Sequence, residues 1–325
     1  MKVIGLPIVL FTALWCLAAL WIDGPSSRPA AALLCAGFVA TAAGLLWRLR
    51  PLPRALLAYA LLFGAVLVWW LSIPPSNERD WLPEVAELPH ARIEGDLVTI
   101  SNVRNFHWRS ESDFEPRWEE RRYDLDELVG VDIFLSYWGS PMIAHTIASW
   151  EFADGPPLAI SIETRKERGE AYSAVLGFFR QFELYYVVGD ERDLVGLRTN
   201  HRGEQVYLYR LKVPVEAARE ILLDYLAEVN RLAESPRWYN AFSHNCTTEI
   251  RHRVQHVGRG NPLHWKLLVN GYIDELGYER GQVDTSLPFE ELRRRSEITD
   301  AARAAGDGPD FSQRIRAGLP GARRD

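Results

Sequence analysis

The chain has 325 residues, 37 basic and 43 acidic side chains, and a net charge of −6. Beyond residue 74 the count is 32 basic against 42 acidic side chains, which excludes the clustered positive surface of a nucleic-acid binder. No glycine-rich phosphate loop or dinucleotide fingerprint occurs, and the length suits one or two domains.

Residues 3–22, 30–47 and 55–73 carry no charged side chain. Each is close to the ~20 residues that cross a hydrocarbon core, so residues 1–74 are expected to form an anchor of three transmembrane helices. A cleaved signal peptide fits poorly, because the first stretch exceeds a typical signal core and two more apolar stretches follow. Arg48, Arg50 and Arg54 place the second connection in the cytoplasm, with the N-terminus. The rest of the chain then lies outside the bacterial inner (cytoplasmic) membrane, with Trp69 and Trp70 at the interface.

Residues 75–95 are expected to be a linker, 96–295 an extracytoplasmic domain and 296–325 a loosely ordered tail, poor in large apolar groups. Alternation predicts strands over 97–103, 132–138, 144–152 and 158–165, the last two joined by a turn at Asp154-Gly155. Further strands are expected over 183–188 and 206–211. Apolar residues at helical spacing after Pro214 predict a helix over 215–232, and another is expected from Cys246 to about Val257. The fold class is α+β, an antiparallel sheet with packed helices.

Of the three cysteines, Cys16 and Cys35 lie in the apolar stretches, which leaves Cys246 as the lone thiol of the soluble part. It has no disulfide partner there. A cysteine at a helix start gains partial positive charge and free backbone N–H groups, which favour a thiolate and can hold an oxyanion. His145, on a strand upstream, is the candidate base. Across the hairpin Glu163 is the candidate carboxylate to orient it, with Glu151 as an alternative of the same parity as His145. Glu163 also reads as a solvated strand residue or a partner for Arg165. Asn245 and Ser243 read as hydrogen-bonding groups near the sulfur, or as caps and turn formers. His244, Cys246, His252 and His256 invite a zinc reading, but Cys246 points away from the face that His252 and His256 share. No metal and no other cofactor is expected. The charged group Glu183, Asp190, Glu191, Arg192, Asp193 and Arg198 reads as ion pairs of strand edges and loops.

Several short motifs occur in a fixed order. They are Val103-Arg104-Asn105-Phe106, Tyr123-Asp124-Leu125-Asp126, Ala144-His145-Thr146, Ser161-Ile162-Glu163-Thr164-Arg165 and Gln181-Phe182-Glu183-Leu184. Asp190-Glu191-Arg192-Asp193, Trp238-Tyr239-Asn240 and Asn245-Cys246-Thr247-Thr248 follow. Over roughly residues 100–257 the chain thus resembles the family of the Lnb N-terminal periplasmic domain. The resemblance implies a permuted papain-like (NlpC/P60-like) thiol enzyme in which histidine precedes cysteine. It implies a lipid or lipoprotein substrate, Cys246 as acyl acceptor and His145 as base and then acid. Glu163 matches a family motif, and Asn245, Thr247 and Ser161 are the supporting or oxyanion candidates beside it. The three N-terminal helices need not be shared by the best-known members. A peptidase or amidase acting on cell-wall peptide would use the same dyad, and a non-catalytic envelope binding module would bury the thiol.

Overall fold

A computed structural model describes residues 2–241, 248–249 and 264–321. Three helices open the chain: α1 (Lys2–Ile22), α2 (Arg28–Arg48) and α3 (Leu52–Leu71). They pack on one another through Cys16, Leu20, Phe38, Ala42 and Tyr59. Two of them, α2 and α3, are long and apolar enough to cross a membrane; α1 is apolar over Leu6–Ile22 and falls short by length. The expectation of three full spans is thereby corrected to two among the described residues.

The remainder is α+β. Its main sheet has eight strands: β1 (His90–Glu94), β2 (Leu97–Arg104), β5 (Trp118–Asp124), β6 (Leu128–Tyr137), β7 (Ala144–Phe152), β8 (Leu158–Arg165), β9 (Glu183–Gly189) and β10 (Gln205–Arg210). A small ribbon of β3 (His107–Trp108) and β4 (Phe114–Glu115) occupies part of the stretch expected to meander. The order is β1-β2-β9-β8-β7-β6-β10, with β5 also on β2. Pairing is antiparallel except where β2 meets β9 at Arg104 and Gly189. There a side chain on Gly189 would collide with the Arg104 carbonyl.

Both faces of the sheet are covered, so its central strands are buried on both sides. One face presents Val131, Ala148, Trp150, Ile160, Ile162 and Tyr186 to α5 (Val215–Glu234). Residues Ala218, Leu222, Tyr225, Leu226 and Val229 form the matching apolar stripe, at the spacing of an amphipathic helix. Trp150 donates its indole N–H to the Ala218 carbonyl at 2.9 Å, so the largest core side chain also satisfies its polar atom. Farther along this face lie α6 (Ile273–Glu279) and α7 (Phe289–Ser296), over Leu135, Tyr137, Tyr207 and Tyr209.

The opposite face presents Phe134, Ile147, Ala159, Tyr185, Val187, Val206 and Leu208. It is covered by α4 (Glu191–Gly196), the π-helical turn Leu197–His201 that continues it, α8 (Thr299–Ala305) and α9 (Phe311–Arg316). The last two helices correct the expectation of a loosely ordered tail over 296–325. Arg316 donates to buried Asp132 at 2.9 Å and to buried Glu191 at 2.6 Å. Phe311 and Ile315 are fully inside the core. An alanine-rich segment with few large residues is held here by two apolar anchors and one buried cation.

The domain is bonded directly to the helices. Asp23, just past α1, accepts the Trp70 indole N–H at 2.6 Å, the Gln181 amide at 2.9 Å and the Arg180 backbone N–H at 3.2 Å. The Arg180 guanidinium stacks 4.2 Å from the Trp70 ring, and Trp238 donates to the Ile73 carbonyl at 3.1 Å.

Candidate functional site

The hairpin β7–β8 pairs from Trp150↔Leu158 to Ile147↔Ser161 and then opens. Beyond that point β7 continues against β6, with His145 opposite Ser136, while β8 continues against β9, with Glu163 opposite Tyr185. The register puts Glu163 level with His145 across the opening, as the turn at Asp154-Gly155 predicts. Among the described residues, 144–146 have no ladder partner on the β8 side. The fork is thus a gap in the sheet flanked by a histidine and a carboxylate.

A short polar relay bridges the gap. The Ser161 hydroxyl donates to Glu163 Oε1 at 2.7 Å and lies 2.7 Å from His145 Nε2. His145 and Glu163 are themselves 3.7 Å apart, so the serine stands between them. With its proton committed to the carboxylate, Ser161 can only accept from the imidazole. His145 therefore carries its proton on Nε2, and Nδ1 is the basic nitrogen. Behind the relay, Arg198 donates to Glu163 Oε1 at 3.0 Å and to Glu204 at 3.1 Å. Ser136 also donates to Glu204.

Burial pushes the His145 pKa down, and the Arg198 charge pushes it further, to about 3 against the opposing pull of Glu163. The imidazole is neutral at physiological pH. Burial alone would raise the Glu163 pKa, but Arg198, then His145 and Arg104, hold it well below the usual carboxylate range. The imidazole is thus held neutral and oriented through a hydroxyl by an ionised carboxylate, and the buried charges around it are paired.

Of the sequence candidates, the structure brings together His145, Ser161 and Glu163. Glu151 is six residues along β7 from His145, about 20 Å away at strand spacing, and does not join them. Cys246, Asn245, Thr247, Ser243, His244, His252 and His256 lie outside the described residues. The chain leading to Cys246 is fixed at Ala241, whose N–H donates to the Gly177 carbonyl at 2.8 Å. Just past it, Glu249 is buried and accepts the Tyr186 hydroxyl at 3.0 Å, on the α5 face of the sheet. His145 and Glu163 lie on the other face, in phase with Ile147 and Ala159. The segment after the thiol also returns to the fork: Asn270 brackets Ala144 with two hydrogen bonds, at 3.0 and 2.6 Å. Gly271 approaches Pro141 so closely that any side chain would clash.

Sequence reasoning placed Arg198 among structural ion pairs and passed over Glu204 and Thr146. Arg198 reaches the relay from a π-helical turn, a conformation often found at functional sites. Thr146, next to His145, has its hydroxyl buried with no partner among the described residues. Two others of the charged group, Asp193 and Glu191, form buried ion pairs and not the strand-edge and loop pairs expected. Asp193 takes a two-pronged pair from Arg104 at 3.0 Å and hydrogen bonds from Phe106 and Trp108 at 2.8 Å. Glu191 binds Arg316 and Ser149.

Residues 114–271 match the family model of the Lnb N-terminal periplasmic domain. The match runs from β4 to Gly271 and contains His145, Ser161, Glu163, Arg198 and Cys246. It agrees with the motif resemblance and leaves out the N-terminal helices and α6 to α9. No curated protein and no solved structure matches the chain. The match and the two apolar helices long enough to cross a membrane fit a membrane-associated envelope protein with a periplasmic domain.

Proposed function

We propose that the chain is a multi-pass inner-membrane protein whose Lnb-type domain is a cysteine-dependent acyltransferase or hydrolase acting on lipid or lipoprotein acyl chains. The observation that carries this reading is the relay at the fork, which leaves one imidazole nitrogen free and neutral beside an ionised carboxylate.

In the proposed reaction His145 Nδ1 takes the Cys246 thiol proton as the sulfur attacks the ester carbonyl carbon. The C–S bond forms, the ester C–O bond breaks, and the proton passes to the departing alkoxide. An acyl thioester remains on Cys246. An amine or water then attacks the thioester, gives its proton to His145, and the thiolate leaves and is reprotonated. An imidazole that resists protonation to about pH 3 favours proton transfer during attack over a standing thiolate–imidazolium pair. Asn245 and Thr247, beside the nucleophile, are proposed to support the oxyanion.

The test is turnover of a diacylated lipopeptide by the full-length protein in proteoliposomes. Cys246→Ala and His145→Ala should each remove it while the domain still folds. Retained turnover in Cys246→Ala contradicts the proposal, and cleavage of cell-wall peptide in place of the lipopeptide would replace the substrate while keeping the dyad.

A further inference from the structure

Between β8 and β9 the chain exposes three large apolar side chains within seven residues. Tyr172 is 49% exposed, Val175 64% and Phe178 48%. Leaving such surface in water costs roughly 25 cal/mol per Å², and the segment has covered neighbours to compare: Gly177 and Phe179 are buried in the same turn. Its position decides what meets it. Phe178 is two residues from Arg180, whose backbone N–H bonds Asp23 at the end of α1 and whose guanidinium lies on Trp70 near the end of α3. Two residues span at most about 7 Å, so Phe178 stands near the helix ends, where Trp70 and Trp238, residues of the type enriched at membrane interfaces, also make their contacts.

We infer that Tyr172, Val175 and Phe178 form a wedge that inserts into the outer leaflet of the same bilayer that α2 and α3 cross. The occupant is lipid because the segment leads directly into Arg180, which is bonded to the ends of the anchor helices at Asp23 and Trp70. The consequence reaches the proposed nucleophile. Gly177, inside the wedge, accepts the Ala241 N–H at 2.8 Å, and Cys246 follows five residues later, within about 18 Å of chain. The wedge ties the lipid surface to the segment that carries the thiol. The inference rests on the membrane anchoring proposed above and on none of the chemistry of Cys246.

The test uses full-length protein in nanodiscs of phosphatidylethanolamine and phosphatidylglycerol. Single cysteines replace Val175, Phe178 or Glu94 in a Cys16→Ser, Cys35→Ser, Cys246→Ser background and carry an environment-sensitive fluorophore. Glu94 lies in the β1–β2 hairpin, whose Asp96 pairs with Arg219 near the start of α5; the anchor-side contact of Asn77 is at Leu232, about 20 Å along that helix. Blue-shifted emission and quenching by shallow spin-labelled lipid at positions 175 and 178, with water-like emission at 94, is the expected result. Water-like emission at all three positions overturns the wedge. A second measurement needs no substitution: lipid carrying a photoreactive acyl chain should cross-link to residues 172–178 of the wild type, and labelling confined to α2 and α3 overturns the inference equally. Neither readout involves turnover, so loss of the wedge and loss of the enzyme reading are separable.

Discussion

A hydroxyl that donates to a carboxylate has no proton left for an imidazole, and Ser161 occupies that position between His145 and Glu163. Replacing Ser161 by alanine frees Nε2 and lets the proton move to Nδ1, the nitrogen proposed to act as the base. Under the proposed reaction kcat/KM should fall on the order of 10²-fold, and nitrogen NMR of labelled His145 should show a mixed tautomer. Unchanged tautomer and rate would remove Ser161 from the relay. The pH dependence follows from burial and Arg198. The folded chain keeps His145 neutral to about pH 3, whereas an unfolded histidine protonates near 6.5. The unfolded state therefore binds the extra proton between these values. The contribution of this group to stability is full above about pH 6.5 and is lost as pH falls towards 3. Arg198→Met should raise the His145 pKa and move any acid limb of turnover upwards; the check is a histidine NMR titration, and an unmoved pKa would contradict the electrostatic role of Arg198.

At the level of elements, the strands were legible. Alternation or continuous apolar character gave 97–103, 144–152 and 158–165 nearly to the residue, because β-branched and aromatic side chains are buried on both faces. The placement of Glu163 level with His145 was legible too, since a short turn fixes register. What sequence could not give was the fork, which arises where β7 and β8 choose different neighbours, or the arrival of Arg198 from a π-helical turn. Nor could composition reveal α8 and α9. Those helices are held by Arg316, whose partners Asp132 and Glu191 are distant in sequence and fully buried. Arg316→Ala leaves two carboxylates without their cation, a change that costs about 3–5 kcal/mol. A clearly lowered melting temperature with early loss of protection in residues 299–316 by hydrogen exchange is expected. A melting curve equal to the wild type would show that the terminal helices do not depend on this pair.

At the scale of the whole molecule, Asp23 joins anchor and domain through two hydrogen bonds, from Arg180 N–H and the Gln181 amide, and accepts a third from Trp70 within the anchor, so the domain has a fixed seat on its helices. Glu183 adds a second tie, to Ser76 N–H at 3.0 Å and Arg79 at 2.9 Å in the connecting segment. Burial raises its pKa to about 7 against the pull of these partners. Folding then favours the protonated acid, and the contribution of this group to stability falls as pH rises from about 4.5 to 7, opposite in sign to that of His145. In a pH series of thermal melts Glu183→Gln should therefore gain stability relative to the wild type as pH rises over this range, and a wild-type-minus-variant difference independent of pH would contradict it. The apolar anchor was legible from charge-free runs of near-membrane length; its docking on Arg180 and Gln181 was not, because it depends on a loop far along the chain. The central claim is that this seated domain carries an acyl group on Cys246. The most direct measurement is intact-protein mass spectrometry of membrane-purified wild type and Cys246→Ser after exposure to diacyl lipopeptide, with and without hydroxylamine. A fatty-acyl adduct on the wild type that hydroxylamine removes and the variant lacks is the predicted result. An adduct that persists in Cys246→Ser, or none on the wild type under turnover, would contradict it.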